Sequence, residues 1–164
     1  MTEVQATISG VAGFKVAGTH CGLKKDGQLD FALIVSDRPC TAAGVFTTNQ
    51  VKAAPVLIGM QRLASFADSI QAVAINTGSA NACTGRKGLQ DAQVTATWVA
   101  EALDCCSDCV LVMSTGVIGT HLPLDKIKQG VVTTSGALGH DWEAAAKAIM
   151  TTDTRHKTAS ITVT

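Results

Sequence analysis

The hydrophobic positions along the chain form short runs separated by turn residues. Four of these runs predict β-strands, at Phe31–Val35, Gly44–Thr47, Ala72–Ile75 and Val110–Met113. Two of them are nearly continuous apolar runs, which is typical of strands that are covered on both faces. The pattern therefore indicates a sheet with at least one layer of helices packed on it.

Longer segments carry apolar residues at helical spacing. The segment Gln90–Leu103 predicts a helix on the sheet, and a second helix is expected from Pro123 to Gly130. A third helix is predicted over Trp142–Met150, with the preceding aspartate as its N-cap. The β-branched segment Thr158–Thr164 alternates like a strand. This mixture predicts one α/β domain over residues 1–164.

Charge and hydropathy narrow the class of partner. The formal net charge is zero and only 16% of residues are charged, so no basic surface is expected to attract nucleic acid or anionic lipid. The apolar runs are interrupted well before the roughly 18 residues that a membrane span needs, and the amino terminus lacks the pattern of a signal peptide. We therefore expect a soluble, cytoplasmic protein that binds neither nucleic acid nor a membrane.

The six cysteines do not predict a disulfide scaffold, because the chain has ample residues for a hydrophobic core. Cys106 and Cys109 form a CxxC motif, but a zinc site needs a second pair of ligands that the sequence does not provide. We expect reduced thiols and no metal.

Small, polar residues follow the strand predicted at Ala72–Ile75. The loop Asn76–Gly85 combines glycines with amide and hydroxyl side chains, which suits either a phosphate cradle or a loop that braces its own turn. The spacing matches neither the Walker motif nor GxGxxG. Both alternatives stay open at this point.

A second loop places a hydroxyl directly before a glycine at a strand end. Thr115 and Gly116 could aim a side-chain O–H and a backbone N–H at one point, which is what a developing oxyanion needs, although such pairs also occur in ordinary turns. A third polar cluster, Met150–Thr154, follows the alanine-rich helix and could line a pocket or simply close the helix. The four histidines fit no catalytic motif.

Taken in order, these loops and several neighbouring segments resemble the ornithine acetyltransferase family of arginine biosynthesis, also called the glutamate N-acetyltransferase family. The resemblance extends over nearly the whole chain. The segments that carry it are Ala12–Phe14, Gly18–Lys24, Ala42–Gln50, Lys52–Val56, Asn76–Gly85, Ser114–Gly119, Leu122–Ile127 and Ala148–Thr154.

The resemblance implies the amino-terminal α chain of an enzyme that transfers an acetyl group from N2-acetyl-L-ornithine to L-glutamate. Acetyl-CoA serves some members as a co-substrate, and no other cofactor is implied. The resemblance also implies a layered α/β sandwich that is incomplete without a β chain cut from the same precursor. Both chains would be joined in a hetero-oligomer. The β chain would begin with the threonine nucleophile, whose new α-amine can act as its base.

Site residues follow from the same resemblance. The oxyanion hole corresponds to Thr115 and Gly116, and the substrate-contacting threonine after the last helix corresponds to Thr152, in preference to Thr151 and Thr154. The sequence ends at Thr164, before the nucleophile that the family requires, so we expect a partner chain to supply it. Two rival hypotheses are an N-terminal-nucleophile peptidase of related fold and a noncatalytic binding fragment.

Overall fold

The computed structural model describes residues 4–5 and 10–161 of the chain. A four-stranded sheet runs in the order β2-β3-β4-β5, and β1 pairs with β6 in a separate two-stranded sheet. The strands are β1 Val4–Gln5, β2 Phe14–Thr19, β3 Phe31–Cys40, β4 Ile70–Ser79, β5 Val110–Val117 and β6 Ser160–Ile161. The helices are α1 Ala54–Phe66, α2 Gly85–Leu103, α3 Leu124–Gly136 and α4 Trp142–Ala148.

The sheet is mixed. Strands β2, β3 and β4 are antiparallel neighbours, whereas β4 and β5 are parallel and are joined by α2 as a crossover. Parallel strands cannot be joined by a tight turn, which explains the long helix between them. Because β4 and β5 run the same way, their carboxyl ends lie side by side.

Alternation along the strands divides the core between the two faces of the sheet. In β4, Ala72 and Ala74 face a cluster that also holds residues of α1, α2 and α3, while Val73 and Ile75 face a smaller cluster with α4. The larger cluster includes Phe31, Leu33, Ile58, Val99, Val112, Ile127 and Val131. The three longer helices therefore cover one face, and α4 packs on β2 and β3 of the other.

Two glycines allow these helices to approach the sheet closely. A Cβ atom at Gly18 of β2 would lie 2.2 Å from the carbonyl oxygen of Ala144 in α4. Gly130 was predicted to end α3, but the helix continues to Gly136. A Cβ atom at Gly130 would lie 3.1 Å from Phe31, so this glycine serves close packing and the prediction of a helix end there was wrong.

The other helix predictions are confirmed with shifted ends. Helix α2 begins at Gly85, and α4 ends at Ala148 instead of continuing to Met150. Asp141 caps α4 as predicted, since its Oδ1 accepts from the Ala144 N–H at 2.9 Å.

Two strand predictions need correction. Residues 44–47 form no strand: Phe46 lies against Gly59 of α1 and Gly44 lies beside Leu63, while Val45 is exposed. The strand predicted at 158–164 is limited to Ser160–Ile161 within the described residues, and residues 162–164 lie outside them. In the described part of the chain, no helix is long and apolar enough to cross a membrane.

Candidate active site

The carboxyl ends of β4 and β5 form the centre of the candidate site. Thr77 pairs with Thr115 in the parallel register, and Gly78 pairs with Gly116. Both strands end within one residue of these glycines. Ligands of open α/β sheets commonly bind at the carboxyl ends of parallel strands, so this edge is a physically reasonable place for chemistry.

Gly116 cannot be replaced by another residue without strain. Its φ is +136°, a value that side chains disfavour, and a Cβ atom there would lie 2.4 Å from the carbonyl carbon of Gly78. Gly116 itself is exposed at the end of β5, so a small ligand can approach its backbone.

The Thr115 hydroxyl differs from its neighbours in its hydrogen bonding. Ser114 donates to Asn76 Oδ1 at 2.6 Å, and Thr77 donates to the carbonyl oxygen of Ala148 at 3.0 Å. Among the described residues, none forms a hydrogen bond with the half-buried Thr115 hydroxyl. The O–H of Thr115 is thus available beside the Gly116 backbone, which is the arrangement that the sequence predicts for an oxyanion hole.

The loop after β4 braces itself. Asn81 is fully buried: its Nδ2 donates to the Gly88 carbonyl oxygen at 2.9 Å, and its Oδ1 accepts from the Thr84 hydroxyl at 2.7 Å. Ser79 donates to the Thr120 carbonyl oxygen at 3.1 Å. Of the two alternatives for this loop, these internal side-chain contacts favour the self-bracing turn.

A buried aspartate that the sequence analysis missed supports the site from the other side. The Asp30 carboxylate is fully buried and accepts three backbone N–H bonds, from Cys21 at 2.7 Å, Leu23 at 2.7 Å and Lys24 at 2.9 Å. The segment His20–Lys24 thereby folds around it. The carbonyl oxygen of Leu23 in this segment lies 3.0 Å from where a Cβ of Gly78 would be.

The same contacts determine how Asp30 and Cys21 titrate. Burial would raise the pKa of Asp30, but the N–H donors of Lys24, Cys21 and Leu23 outweigh it, so the pKa is lowered. Burial, followed by the hydrogen bond to Asp30, raises the pKa of Cys21 to about 12. Cys21 is therefore a protonated thiol at neutral pH and a poor nucleophile.

The predicted substrate threonine lies at the exit of α4. The bond from Thr77 to the Ala148 carbonyl oxygen fastens this exit to β4, at the register position beside Thr115. Thr152 is exposed at a bend four residues later. Its neighbours Thr151 and Asp153, but not Thr152 itself, line a cavity of about 350 Å³ together with Lys24, Gly27, Gln28, Leu29, Lys147 and Met150. The roles of Thr115, Gly116 and Thr152 stay predictions.

Comparison with known proteins identifies the family. The model of the ArgJ family matches residues 15–164. The chain belongs to the ArgJ family. Relatives in this family include the arginine biosynthesis bifunctional protein ArgJ of Geobacter sulfurreducens, which is 48% identical over 88% of this chain and 36% of its own length. The ArgJ protein of Streptococcus thermophilus is 41% identical over all of this chain and 40% of its own length.

Two solved ArgJ-family structures share the fold. Ornithine acetyltransferase from Mycobacterium tuberculosis, solved in complex with ornithine, superposes with a TM-score of 0.92 at 41% identity, over 98% of this chain and 88% of that chain. The bifunctional ArgJ protein of Bacillus halodurans gives a TM-score of 0.82 at 36% identity, over 93% of this chain and 82% of that chain. The predicted family and the predicted layered α/β fold are thus confirmed. The chain spans about two fifths of the length of the curated ArgJ relatives it matches.

Proposed function

We propose that this chain is the amino-terminal part of an acetyltransferase that transfers an acetyl group from N2-acetyl-L-ornithine to L-glutamate. The observation that carries the proposal is the Thr115 hydroxyl, which has no partner among the described residues, beside the exposed Gly116 backbone at the end of β5. Membership of the ArgJ family and the names of its members in arginine biosynthesis supply the substrate class.

The threonine nucleophile comes from a second chain of the same precursor. Two lengths support this: the chain is about two fifths as long as the curated relatives, yet it covers 88% of the chain in the solved ornithine acetyltransferase. A protein made as one long polypeptide and found as a shorter chain fits cleavage into two pieces. We expect the two chains to remain together as a hetero-oligomer in the cytoplasm.

In the proposed reaction, the threonine hydroxyl of the second chain attacks the acetyl carbonyl carbon and passes its proton to the adjacent α-amine. The carbonyl oxygen becomes an oxyanion, which accepts hydrogen bonds from the Thr115 hydroxyl and the Gly116 N–H. Collapse breaks the amide bond, and the ornithine amine leaves with the proton. The glutamate amine then attacks the acetyl ester through the same oxyanion, the ester C–O bond breaks, and the amine proton passes through the α-amine to the threonine oxygen, which releases acetylglutamate and regenerates the threonine.

The polar exit of α4 suits the amino acid portion of the substrate. Thr152 is assigned to substrate contact, and the adjoining cavity of about 350 Å³ is large enough for a small amino acid. Acetyl-CoA is a further acetyl donor in this proposal. Each assignment depends on the second chain completing the pocket.

The direct test is to purify the complete native protein, determine the intact mass and first residue of each chain, and assay it with N-acetylornithine and glutamate. We expect a second chain that begins with threonine, an acetyl adduct on that chain after incubation with N-acetylornithine alone, and acetylglutamate after glutamate is added. Peptide cleavage without acetyl transfer would favour the peptidase hypothesis. A single unprocessed chain without activity would overturn the proposal.

A further inference from the structure

The connection between α2 and β5 holds three of the six cysteines. Cys105 and Cys106 follow the end of α2, and Cys109 closes the single 3₁₀ turn Ser107–Cys109 that leads into β5. All six cysteines are free thiols in this structure. The proposed acetyl transfer gives none of them a role, so the CxxC motif of Cys106 and Cys109 needs an explanation of its own.

The backbone of this turn brings the two cysteines of the motif together. The Cys109 N–H donates to the Cys106 carbonyl oxygen at 3.0 Å, which closes a four-residue turn. The first and fourth Cα atoms of such a turn are less than about 7 Å apart, and a disulfide needs a Cα separation of roughly 4.4–6.8 Å. The side chains also meet, because the two thiols share a hydrogen bond. A bond between the two sulfur atoms therefore needs little movement of the backbone.

The two thiols differ in their access to solvent. Cys106 is exposed, whereas Cys109 is only 8% exposed, so a reagent in solution meets Cys106 first. Burial, followed by the hydrogen bond and the charge interaction with Cys106, raises the pKa of Cys109 to about 11. The last two causes disappear once the Cys106 sulfur has been modified, which makes Cys109 easier to deprotonate. An exposed thiol beside a shielded second thiol is the arrangement of an attacking and a resolving cysteine.

Contacts on both sides hold the turn in place. Arg62 of α1 is buried; it donates to the carbonyl oxygen of Val110, and its Nε lies 3.7 Å from Oδ1 of Asp108. On the other side, the Cys105 N–H donates to the Ala100 carbonyl oxygen at 3.0 Å. Because the turn is fixed at both ends, the two sulfur atoms stay close, and their reaction with each other is favoured over reaction with a second molecule of reagent.

We propose that Cys106 and Cys109 are a reversible redox site, which a small-molecule disulfide such as glutathione disulfide oxidises to an internal disulfide. The Cys106 thiolate attacks one sulfur of the reagent, whose S–S bond breaks, and the first glutathione leaves as a thiolate. Cys109 then gives its proton to water, its sulfur attacks the Cys106 sulfur, and the second glutathione leaves.

The exchange is balanced. The two protein thiols lose two electrons and two protons, and one glutathione disulfide becomes two glutathione thiols. Excess glutathione reverses both steps, so the site reports the ratio of the two forms. The inference does not depend on acetyl transfer or on the second chain.

Thiol mapping of the complete protein tests the site. The protein is equilibrated with mixtures of glutathione disulfide and glutathione, quenched with acid, and treated with iodoacetamide, and its peptides are identified by mass spectrometry. We expect a disulfide between Cys106 and Cys109 that returns to two alkylated thiols in excess glutathione. A disulfide that includes Cys105, or two thiols that stay reduced in glutathione disulfide alone, would overturn the proposal.

Cys109→Ser tests the resolving thiol, with Cys83 as an internal control. Cys83 is exposed just before α2, and this 19-residue helix, about 28 Å long, separates it from Cys106. We expect the glutathione adduct on Cys106 to persist in Cys109→Ser and to be resolved in the native protein, while the adduct on Cys83 persists in both. An adduct on Cys106 that persists equally in both proteins would contradict the proposal.

Cys106→Ala gives a second test that leaves the buried thiol in place. Cys106 is exposed, so its replacement should not disturb folding even if Cys109→Ser does. Because the buried Cys109 reacts only through Cys106, we expect its oxidation by glutathione disulfide to slow by roughly tenfold or more in this variant. Oxidation of Cys109 at the native rate without Cys106 would overturn the proposal.

Discussion

Strands β4 and β5 are adjacent and parallel, yet they differ in their exposure to solvent. No residue of β4 is exposed, whereas Met113, Gly116 and Val117 of β5 are. Beyond β4, the loop engages its amide and hydroxyl groups internally, as the buried Asn81 does. Near the end of β5, the Thr115 hydroxyl has no partner among the described residues.

This difference in exposure and hydrogen bonding gives β4 and its loop a structural role and leaves the end of β5 available to a ligand. Polar groups that are buried and fully bonded hold a backbone in one geometry, and a polar group without a partner at an accessible strand end is available to a ligand. The composition of the two loops is similar, with threonine, serine and glycine in each. Their different roles arise from their positions, because β4 is central and β5 is an edge strand.

The contact between the two glycines should be the most sensitive point of this arrangement. Gly116→Ala introduces a Cβ 2.4 Å from the Gly78 backbone at a φ of +136°, so we expect it to lower the free energy of unfolding by about 3–5 kcal/mol. Gly119→Ala is the control, because its φ is +84° but nothing lies within 4 Å. Its expected cost is roughly 1 kcal/mol. Equal midpoints in urea denaturation of the two variants would contradict the close-contact argument.

The structural role of the buried Asp30 carboxylate can be tested by substitution. Asp30→Ala leaves three backbone N–H groups without their acceptor, and we expect it to lower the free energy of unfolding by about 3 kcal/mol. Asp37→Ala removes only an exposed ion pair with Lys15 at 3.7 Å, for which we expect less than about 0.5 kcal/mol. Urea denaturation measures both. A small effect at Asp30 would show that segment His20–Lys24 is held by other contacts.

The lowered pKa of Asp30 also predicts a pH dependence. The stabilisation by its carboxylate is present above the ordinary aspartate pKa and is lost as the pH falls through the lowered pKa of the folded state. We therefore expect the stability difference between the native chain and Asp30→Asn to shrink below about pH 4. Thermal or urea unfolding across this range measures it. A difference that stays constant down to pH 2 would contradict the role of the charge.

The smallest effect is expected at the exit of α4. Thr152→Ala in the complete enzyme should lower kcat/KM by roughly tenfold, mainly through KM, because one substrate hydrogen bond is lost. Thr154→Ala is the matched control and should leave kcat/KM unchanged. Steady-state kinetics with N-acetylornithine decides between them. If Thr151→Ala has the larger effect instead, the substrate threonine is the one that lines the cavity.

Local patterns predicted the buried strands, α2 and the N-cap of α4, because each depends on residues close in sequence. They failed where distant contacts decide the outcome. Residues 44–47 look like a strand but Phe46 among them packs on α1, and Gly130 looks like a helix end but allows close contact with Phe31. The strand β2 and the helix α1 were not predicted either, since neither has a strong local signal.

Only part of the site was predictable from the sequence, because distant contacts form the rest of it. A hydroxyl directly before a glycine at a strand end, together with the resemblance to the family, pointed to Thr115 and Gly116. Asp30 was missed because its importance comes from the backbone N–H groups of Cys21, Leu23 and Lys24, which no local pattern reveals. The edge position of β5 was also missed, because strand order cannot be read from one apolar run.

The central claim is that Thr115 donates to the oxyanion, and the most direct test is the kcat of Thr115→Ala in the complete, processed enzyme. We expect kcat to fall by about a hundredfold or more, which is typical for the loss of one oxyanion-hole donor. Thr115→Ser should restore much of it, and Thr133→Ala, on the exposed side of α3, should match the native enzyme. An unchanged kcat in a folded and processed Thr115→Ala enzyme would contradict the account.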